Sequence, residues 1–446
     1  MTQDSAGAVF RCEAAWIGGA VRRDVQIRAV GGLIESLSEA GAPIAAGDTL
    51  EDLPGLVVPG FADAHSHAFH RALRGLTHNS GGTFWTWRDL MYSLADRLTP
   101  DTLRDLAFAT YVELLCAGYT SVGEFHYLHH QPGGRRYADP NAMGLAVADA
   151  AQQAGIDLTL LDVAYLAGGF DAPLSAVQQR FSDGTVQAWR ERVEELRRVP
   201  RLGLRVGVAA HSVRAVPARD LPVVAEAAMG GPLHAHLSEQ HAENQAALTA
   251  TGLTPTQLLA ESGALGPATA LVHATHLTRD DIDVIGRNRC FAVICPTTEA
   301  DLADGLGPVA SLSLAGARLT LGGDQHVIVD PFAQARGLEY GERLSSGQRG
   351  VFSPARLLDV ATRESHAAIG SPGGRLEVGA PADLVAIRTD SARTAGADHG
   401  QLVMCASAAD VHAVVVGGVV RARSGNHVTY GDPGPLLAGA IARAWR

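Results

Sequence analysis

Val57-Val58-Pro59-Gly60-Phe61-Ala62-Asp63-Ala64-His65-Ser66-His67 is an apolar run that ends abruptly in two histidines one residue apart. Alternation along a strand turns residues i and i+2 to the same side, so both imidazoles can reach one metal ion. Spacing alone decides little, because a chain of 446 residues with 18 His is expected to hold ~0.7 such pairs by chance. Position decides more. The pair closes the first strand of a long series in which apolar strand, polar loop and helical pattern repeat, and barrel enzymes carry their chemistry at the C-terminal ends of such strands.

Outward from that stretch, strands are read at Val57 to Ala64, Ser121 to Phe125, Leu158 to Leu166, Leu204 to Ala210, Leu233 to Leu237, Ala270 to Ala274, Phe291 to Cys295 and Arg318 to Gly322. Helical patterns lie between them, at Thr102 to Cys116, Asn141 to Ala154, Val186 to Val199 and Arg219 to Ala228, with apolar residues recurring at three and four. Strict alternation argues for parallel strands, and eight units argue for closure. The fold class is therefore α/β, a (β/α)8 TIM-like barrel over residues 57–371. Short alternating strands with Gly turns, such as Ala20 to Arg28, Leu376 to Ile387 and Val411 to Val420, assign residues 1–56 and 372–430 to a small β-sandwich domain built from both chain ends. Residues 431–446 hold a C-terminal helix, Pro435 to Trp445, expected to dock on the body.

Hydrophobic residues make up 46% and charged residues 19%, enough apolar content for a large core, with no apolar run long enough to span a bilayer. The start, Met1-Thr2-Gln3-Asp4-Ser5, lacks the basic and apolar regions of a signal peptide, so a cytoplasmic enzyme is expected. Five cysteines without a CxxC fit reduced, mostly buried thiols. A net charge of −11 and the absence of any basic stretch argue against nucleic acid or an anionic membrane as partner. The chain has no lysine, so its 36 positive residues are all arginine. Schiff-base, Walker A and carboxylated-lysine chemistry are thereby excluded.

The strand ends supply a consistent polar set. After His65 and His67 come His236 with Glu239 on the fifth strand, His273 on the sixth and Asp324 on the eighth. Three imidazoles and a carboxylate form a borderline N/O donor set with room for water, the arrangement of a hydrolytic zinc. A lone His at a strand end is more often a hydrogen-bonded structural residue. Several at the expected strand ends reverse that preference.

At this point the chain resembles the amidohydrolase superfamily in its mononuclear deaminase branch, over nearly its whole length. Five segments, His65-Ser66-His67-Ala68-Phe69, Phe84-Trp85-Thr86-Trp87-Arg88-Asp89-Leu90-Met91-Tyr92, Glu124-Phe125-His126-Tyr127, His211-Ser212-Val213-Arg214-Ala215-Val216 and Cys295-Pro296-Thr297-Thr298-Glu299-Ala300, resemble those of the formimidoylglutamate deiminases. The resemblance implies hydrolysis of N-formimidoyl-L-glutamate to N-formyl-L-glutamate and ammonia, as in histidine degradation. It implies one divalent metal, Zn2+, on His65, His67, His236 and Asp324. Catalytic roles fall to Glu239, His273 and Asp324, and substrate binding to His70, Arg88, Tyr127, His211 and Arg214. A guanidinium fork pairs with a carboxylate through two parallel hydrogen bonds, which suits a dicarboxylate substrate. Trp85 and Trp87 are expected as pocket wall or core. His70 stands where the family commonly has Gln, and Gly323 and Gln325 where Ser is usual. A homodimer is expected.

The rival within the superfamily is a deaminase acting on another formimidoyl amino acid or on an aromatic base such as guanine. An aromatic substrate asks for stacking surfaces and amide-type hydrogen bonds, whereas the chain offers Arg88 and Arg214. Cytidine-type zinc deaminases need a PCxxC signature, and Cys295-Pro296 lacks the second cysteine. A non-catalytic scaffold would have no use for the full donor set.

Overall fold

The computed structural model describes residues 6–78, 84–199 and 204–446, apart from the side chains of Phe84 and Trp85. Two eight-stranded sheets organise the chain. The barrel strands are β1 (Phe61–Ser66), β2 (Tyr119–His126), β3 (Asp157–Ala164), β4 (Leu204–Ala210), β5 (Leu233–Leu237), β6 (Thr269–His273), β7 (Phe291–Ile294) and β8 (Arg318–Leu321), hydrogen-bonded in that order. All seven pairings are parallel. A parallel bridge between Ser66 and Asp324 brings the last strand back to the first. The intervening segments are helical, as in Pro100–Ala117, Ala142–Ala154, Val186–Arg197 and Leu221–Ala227. Strands buried on both faces read as unbroken apolar runs, which is why these eight stood out in the sequence.

The first strand differs from expectation. Val57 to Ala64 is not one strand: Val57, Val58 and Pro59 end a strand, Thr49–Pro59, that pairs antiparallel with Leu384–Ile387 in the other sheet. The barrel begins only at Phe61. The reason lies in Pro59-Gly60. Proline has no N–H to donate to a ladder, and a Cβ on Gly60 would lie 2.1 Å from Thr120 Oγ1, so the chain can change sheets here only with glycine. A division after residue 56 thus falls inside a continuous strand.

The second sheet draws on both chain ends. Its order is Asn426–His427, Val419–Arg423, Val411–Val416, Leu384–Ile387, Thr49–Pro59, Ala8–Ile17, Ala20–Val30 and Leu33–Glu39. The ladder is continuous, so the two leaves of the expected sandwich are halves of one sheet. One edge strand, Leu33–Glu39, curls back to the segment that leads into Leu384–Ile387, through Ile34 N–H to Ala380 O and Ala382 N–H to Gly32 O, over a core that includes Phe10, Ile27, Ile34, Leu53 and Val415. The strand expected from Leu376 shortens to Leu384–Ile387. The closing helix, Pro433–Ala444, lies on Pro100–Ala117, and Trp445 Nε1 donates to Ala72 O at 3.2 Å.

Inside the barrel, Ala62, Ala64, Val272, Phe291 and Val293 pack against Ala368 and Ile369 and fill the end opposite the histidines. His234 shows what this does to the sequence pattern. It forms a second H-x-H pair with His236, yet its Nε2 donates to Ala368 O at 3.0 Å within that plug. No helix among the described residues is long and apolar enough to cross a membrane.

Candidate active site

Closure of the barrel places His65, His67 and Asp324 together by backbone alone. Asp324 N–H donates to His65 O at 2.8 Å, and His67 N–H donates to Asp324 O at 3.1 Å. The side chains follow. Asp324 Oδ1 lies 3.5 Å from His65 Nε2 and 3.4 Å from His67 Nε2, while His236 Nε2 reaches within 3.1 Å of His65 Nε2. One nitrogen from each of His65, His67 and His236 lies within 4.8 Å of the others.

Second partners fix which nitrogen faces inward. His67 Nδ1 donates to Phe125 O at 3.1 Å and His236 Nδ1 to His211 O at 2.9 Å, so both Nε2 atoms present lone pairs to the shared space. Burial holds His65, His67 and His236 below the usual histidine range, which keeps them neutral. Against burial, which would raise it, hydrogen bonding to His65 holds Asp324 down to about 2. Three neutral imidazoles within 4.8 Å of one another, with the ionised carboxylate of Asp324 beside two of them, are a donor set that fits a divalent cation.

His273 and Glu239 stand beside this cluster. His273 Nε2 is 3.6 Å from Glu239 Oε1, and its Nδ1 is 3.3 Å from Glu299 Oε1. Burial alone would lower His273, but the carboxylates of Glu239, Glu299 and Asp324 raise it to about 10. Burial pushes Glu239 up, with His273 opposing. The backbone is strained at these strand ends: Ser238, His273, Ala274, Asp324 and His326 all have positive φ, between 49° and 70°. A non-glycine residue held there costs on the order of 1–3 kcal/mol, so the rest of the barrel must over-determine these positions.

The pocket above is lined by every residue expected in the site except His65, which lies beneath it. Helix Phe84–Ala95 brings Trp87, Arg88, Met91 and Tyr92; the guanidinium of Arg88 lies over the Tyr92 ring, 5.5 Å from its centre. His70 Nε2 is 2.9 Å from Tyr127 OH, in contact with the rings of His67 and Trp87. The loop after β4 brings His211 and Arg214. Against the cost of burial, Glu243 first, then Tyr165, Tyr92 and Glu239, keep Arg214 charged, yet among the described residues it has no hydrogen-bond or ion-pair partner. Trp87 is pocket wall, whereas the Trp85 side chain lies outside the described residues.

Sequence reading missed Tyr92, Tyr165, Phe181 and Glu243 in the wall, and gave no role to Glu299. Glu299 stood within a quoted motif, so a signal existed. Glu243 opens helix His241–Thr251 and accepts Ser238 N–H at 2.9 Å, which reads in sequence as an ordinary acidic first turn.

Fold and site together define a metal-dependent hydrolase acting on C–N bonds. The chain belongs to the amidohydrolase family, whose model matches residues 56–421. It is 37% identical over 419 residues to a formimidoylglutamate deiminase of Pseudomonas aeruginosa, covering 90% of this chain and 91% of that one. An 8-oxoguanine deaminase of the same organism is 29% identical over 381 residues, 83% of each chain. The crystal structure of an amidohydrolase from Brucella melitensis superposes with a TM-score of 0.87 at 30% identity, covering 98% of this chain and 100% of that one.

Proposed function

We propose that the protein hydrolyses N-formimidoyl-L-glutamate to N-formyl-L-glutamate and ammonia, with one Zn2+ held by His65, His67, His236 and Asp324. The observation that carries this reading is Arg214: a charged guanidinium in the pocket wall, without a partner among the described residues, suits a substrate carboxylate. Arg88 on the facing helix supplies a second cation for a second carboxylate. A relative of 37% identity that carries the deiminase name supports the same choice.

When bound, the cation lowers the pKa of a water towards neutrality. Asp324 would take a proton from the attacking water as the water oxygen bonds to the formimidoyl carbon and the C=N bond becomes single. Glu239, pushed up by burial, is suited to hand a proton to the terminal nitrogen. His273, held cationic by its carboxylate neighbours, donates to the tetrahedral centre from a position fixed before reaction. The bond to the terminal nitrogen then breaks: the proton taken up by Asp324 becomes the second that this nitrogen needs to leave as ammonia, the hydroxyl proton returns to Glu239 as the carbonyl forms, and the bond to the amino acid stays intact. Arg214 and Arg88 hold the carboxylates away from the reacting carbon.

The test is ammonia release by zinc-loaded protein from N-formimidoyl-L-glutamate, the N-formimidoyl-L-aspartate homologue, guanine and 8-oxoguanine. The glutamate compound is expected to be turned over with the highest kcat/KM. Faster turnover of either purine would overturn the reading, and preference for the aspartate compound would move it to a shorter substrate, with His70 the residue to examine.

A further inference from the structure

Glu299 is 6% exposed, does not line the pocket, and reaches His273 from behind. It sits in the first turn of helix Pro296–Leu302, directly after β7. One of its oxygens, Oε1, is 3.3 Å from His273 Nδ1 and 2.8 Å from the Cys295 N–H that donates to it. The backbone donor fixes the carboxylate, and the carboxylate in turn meets the imidazole. The other ring nitrogen faces the pocket, where Glu239 Oε1 lies 3.6 Å from Nε2. His273 and the following Ala274 both have left-handed backbone, φ 70° and 50°, so the ring is delivered by a turn and not by regular strand geometry. Such a side chain needs a second anchor to keep one orientation.

We propose that Glu299 is the positioning residue for His273: by accepting from Nδ1 it fixes the ring plane and the proton there, and so aims Nε2 at the reacting carbon. The proposal rests on the deimination reading, in which His273 donates to the tetrahedral centre. A carboxylate accepts only, so Nδ1 is the donor and Nε2 is the nitrogen left for substrate.

The competing role for Glu299 is to cap the helix through Cys295 N–H, and Glu299→Gln weighs the two: the one oxygen that meets both donors becomes a neutral, weaker acceptor, so the short bond from Cys295 survives while the longer one from Nδ1 is weakened. The amide oxygen still accepts from Cys295, so Tm and zinc content should match wild type, while kcat for ammonia release falls roughly 10- to 100-fold at nearly constant KM. Glu299→Ala should lose both kcat and Tm. Wild-type kcat in Glu299→Gln, or a loss of kcat no larger than its loss of folded fraction, overturns the proposal. A second measurement does not depend on the substrate. In long-range 15N–1H spectra of the imidazoles, with His273 assigned by its loss in His273→Gln, Nδ1 should carry a hydrogen-bonded proton whose resonance shifts in Glu299→Gln. An unshifted resonance refutes the anchor even if N-formimidoyl-L-glutamate proves not to be the substrate, whereas a shift with no turnover of that compound would overturn only the deimination reading.

Discussion

Arg192, on the helix between β3 and β4, and Arg214, on the loop after β4, are treated in opposite ways. Arg192 is buried against β3 and has its guanidinium fully engaged: Nη1 and Nη2 donate to Asp162 at 2.7 and 2.8 Å, Nε and Nη2 to Asp183 Oδ2 at 3.0 Å, and Nη1 to Asn141 Oδ1 at 3.3 Å. Its carboxylates are bonded again, Asp162 by Trp189 Nε1 at 3.0 Å and Asp183 by His130 Nε2 at 3.0 Å. Despite burial, these partners hold both aspartates below the ordinary carboxylate range. Arg214, in the pocket, has no such partner among the described residues. Arg214 is half-buried and opens on the pocket, where water or a ligand can meet its guanidinium. The completed network around Arg192 leaves nothing for a ligand, whereas the guanidinium of Arg214 is left able to take the proposed substrate carboxylate.

The largest expected effect lies on the open side. Asp324 has φ 49°, a left-handed position that asparagine tolerates nearly as well as aspartate, so Asp324→Asn removes the charge and leaves the backbone in place. Turnover should fall on the order of 10^4-fold, with bound zinc reduced and Tm within a few degrees of wild type. Near-normal ammonia release would end the assignment of Asp324 as both ligand and base.

Exchanging the two arginines for alanine sharpens the contrast. Arg192→Ala strands two buried carboxylates and should cost about 3–5 kcal/mol of stability, measured by urea unfolding, while the folded fraction keeps its KM. Arg214→Ala should do the reverse, raising KM about 100-fold, in line with loss of one desolvated charge pair, with little change in unfolding midpoint. Equal effects on stability from both variants would show that the pocket arginine is structural after all.

That contrast also marks what the sequence could reveal. The eight strands were legible because parallel strands buried on both faces read as apolar runs, and all of them end within two residues of where periodicity put them, only the first starting four residues late. The convergence of His65, His67, His236 and Asp324 was legible because these residues sit at the strand ends. Yet His65-x-His67 and His234-x-His236 have the same spacing, and only closure of the barrel shows that His234 serves the plug. The change of sheets at Gly60 was hidden because a strand and its continuation into another sheet have the same apolar pattern; only the clash with Thr120 reveals it. Asp162, Asp183 and Arg192 lay in three separate segments, and no spacing rule joins residues that meet only across helix and strand.

The smallest expected effect probes the closed network at its edge. Trp189→Phe deletes the Nε1 donor to Asp162 Oδ1, but that oxygen keeps Arg192 Nη2 at 2.8 Å, so no charge is left bare. The loss should be about 1–2 kcal/mol, the value of one hydrogen bond to a charged group with a little lost packing, and KM should not move. A destabilisation as large as that of Arg192→Ala would mean that the indole, and not the guanidinium, organises the cluster. A change in KM would mean that the two regions are coupled through β3, which runs from Asp162 to the loop bearing Tyr165 in the pocket wall.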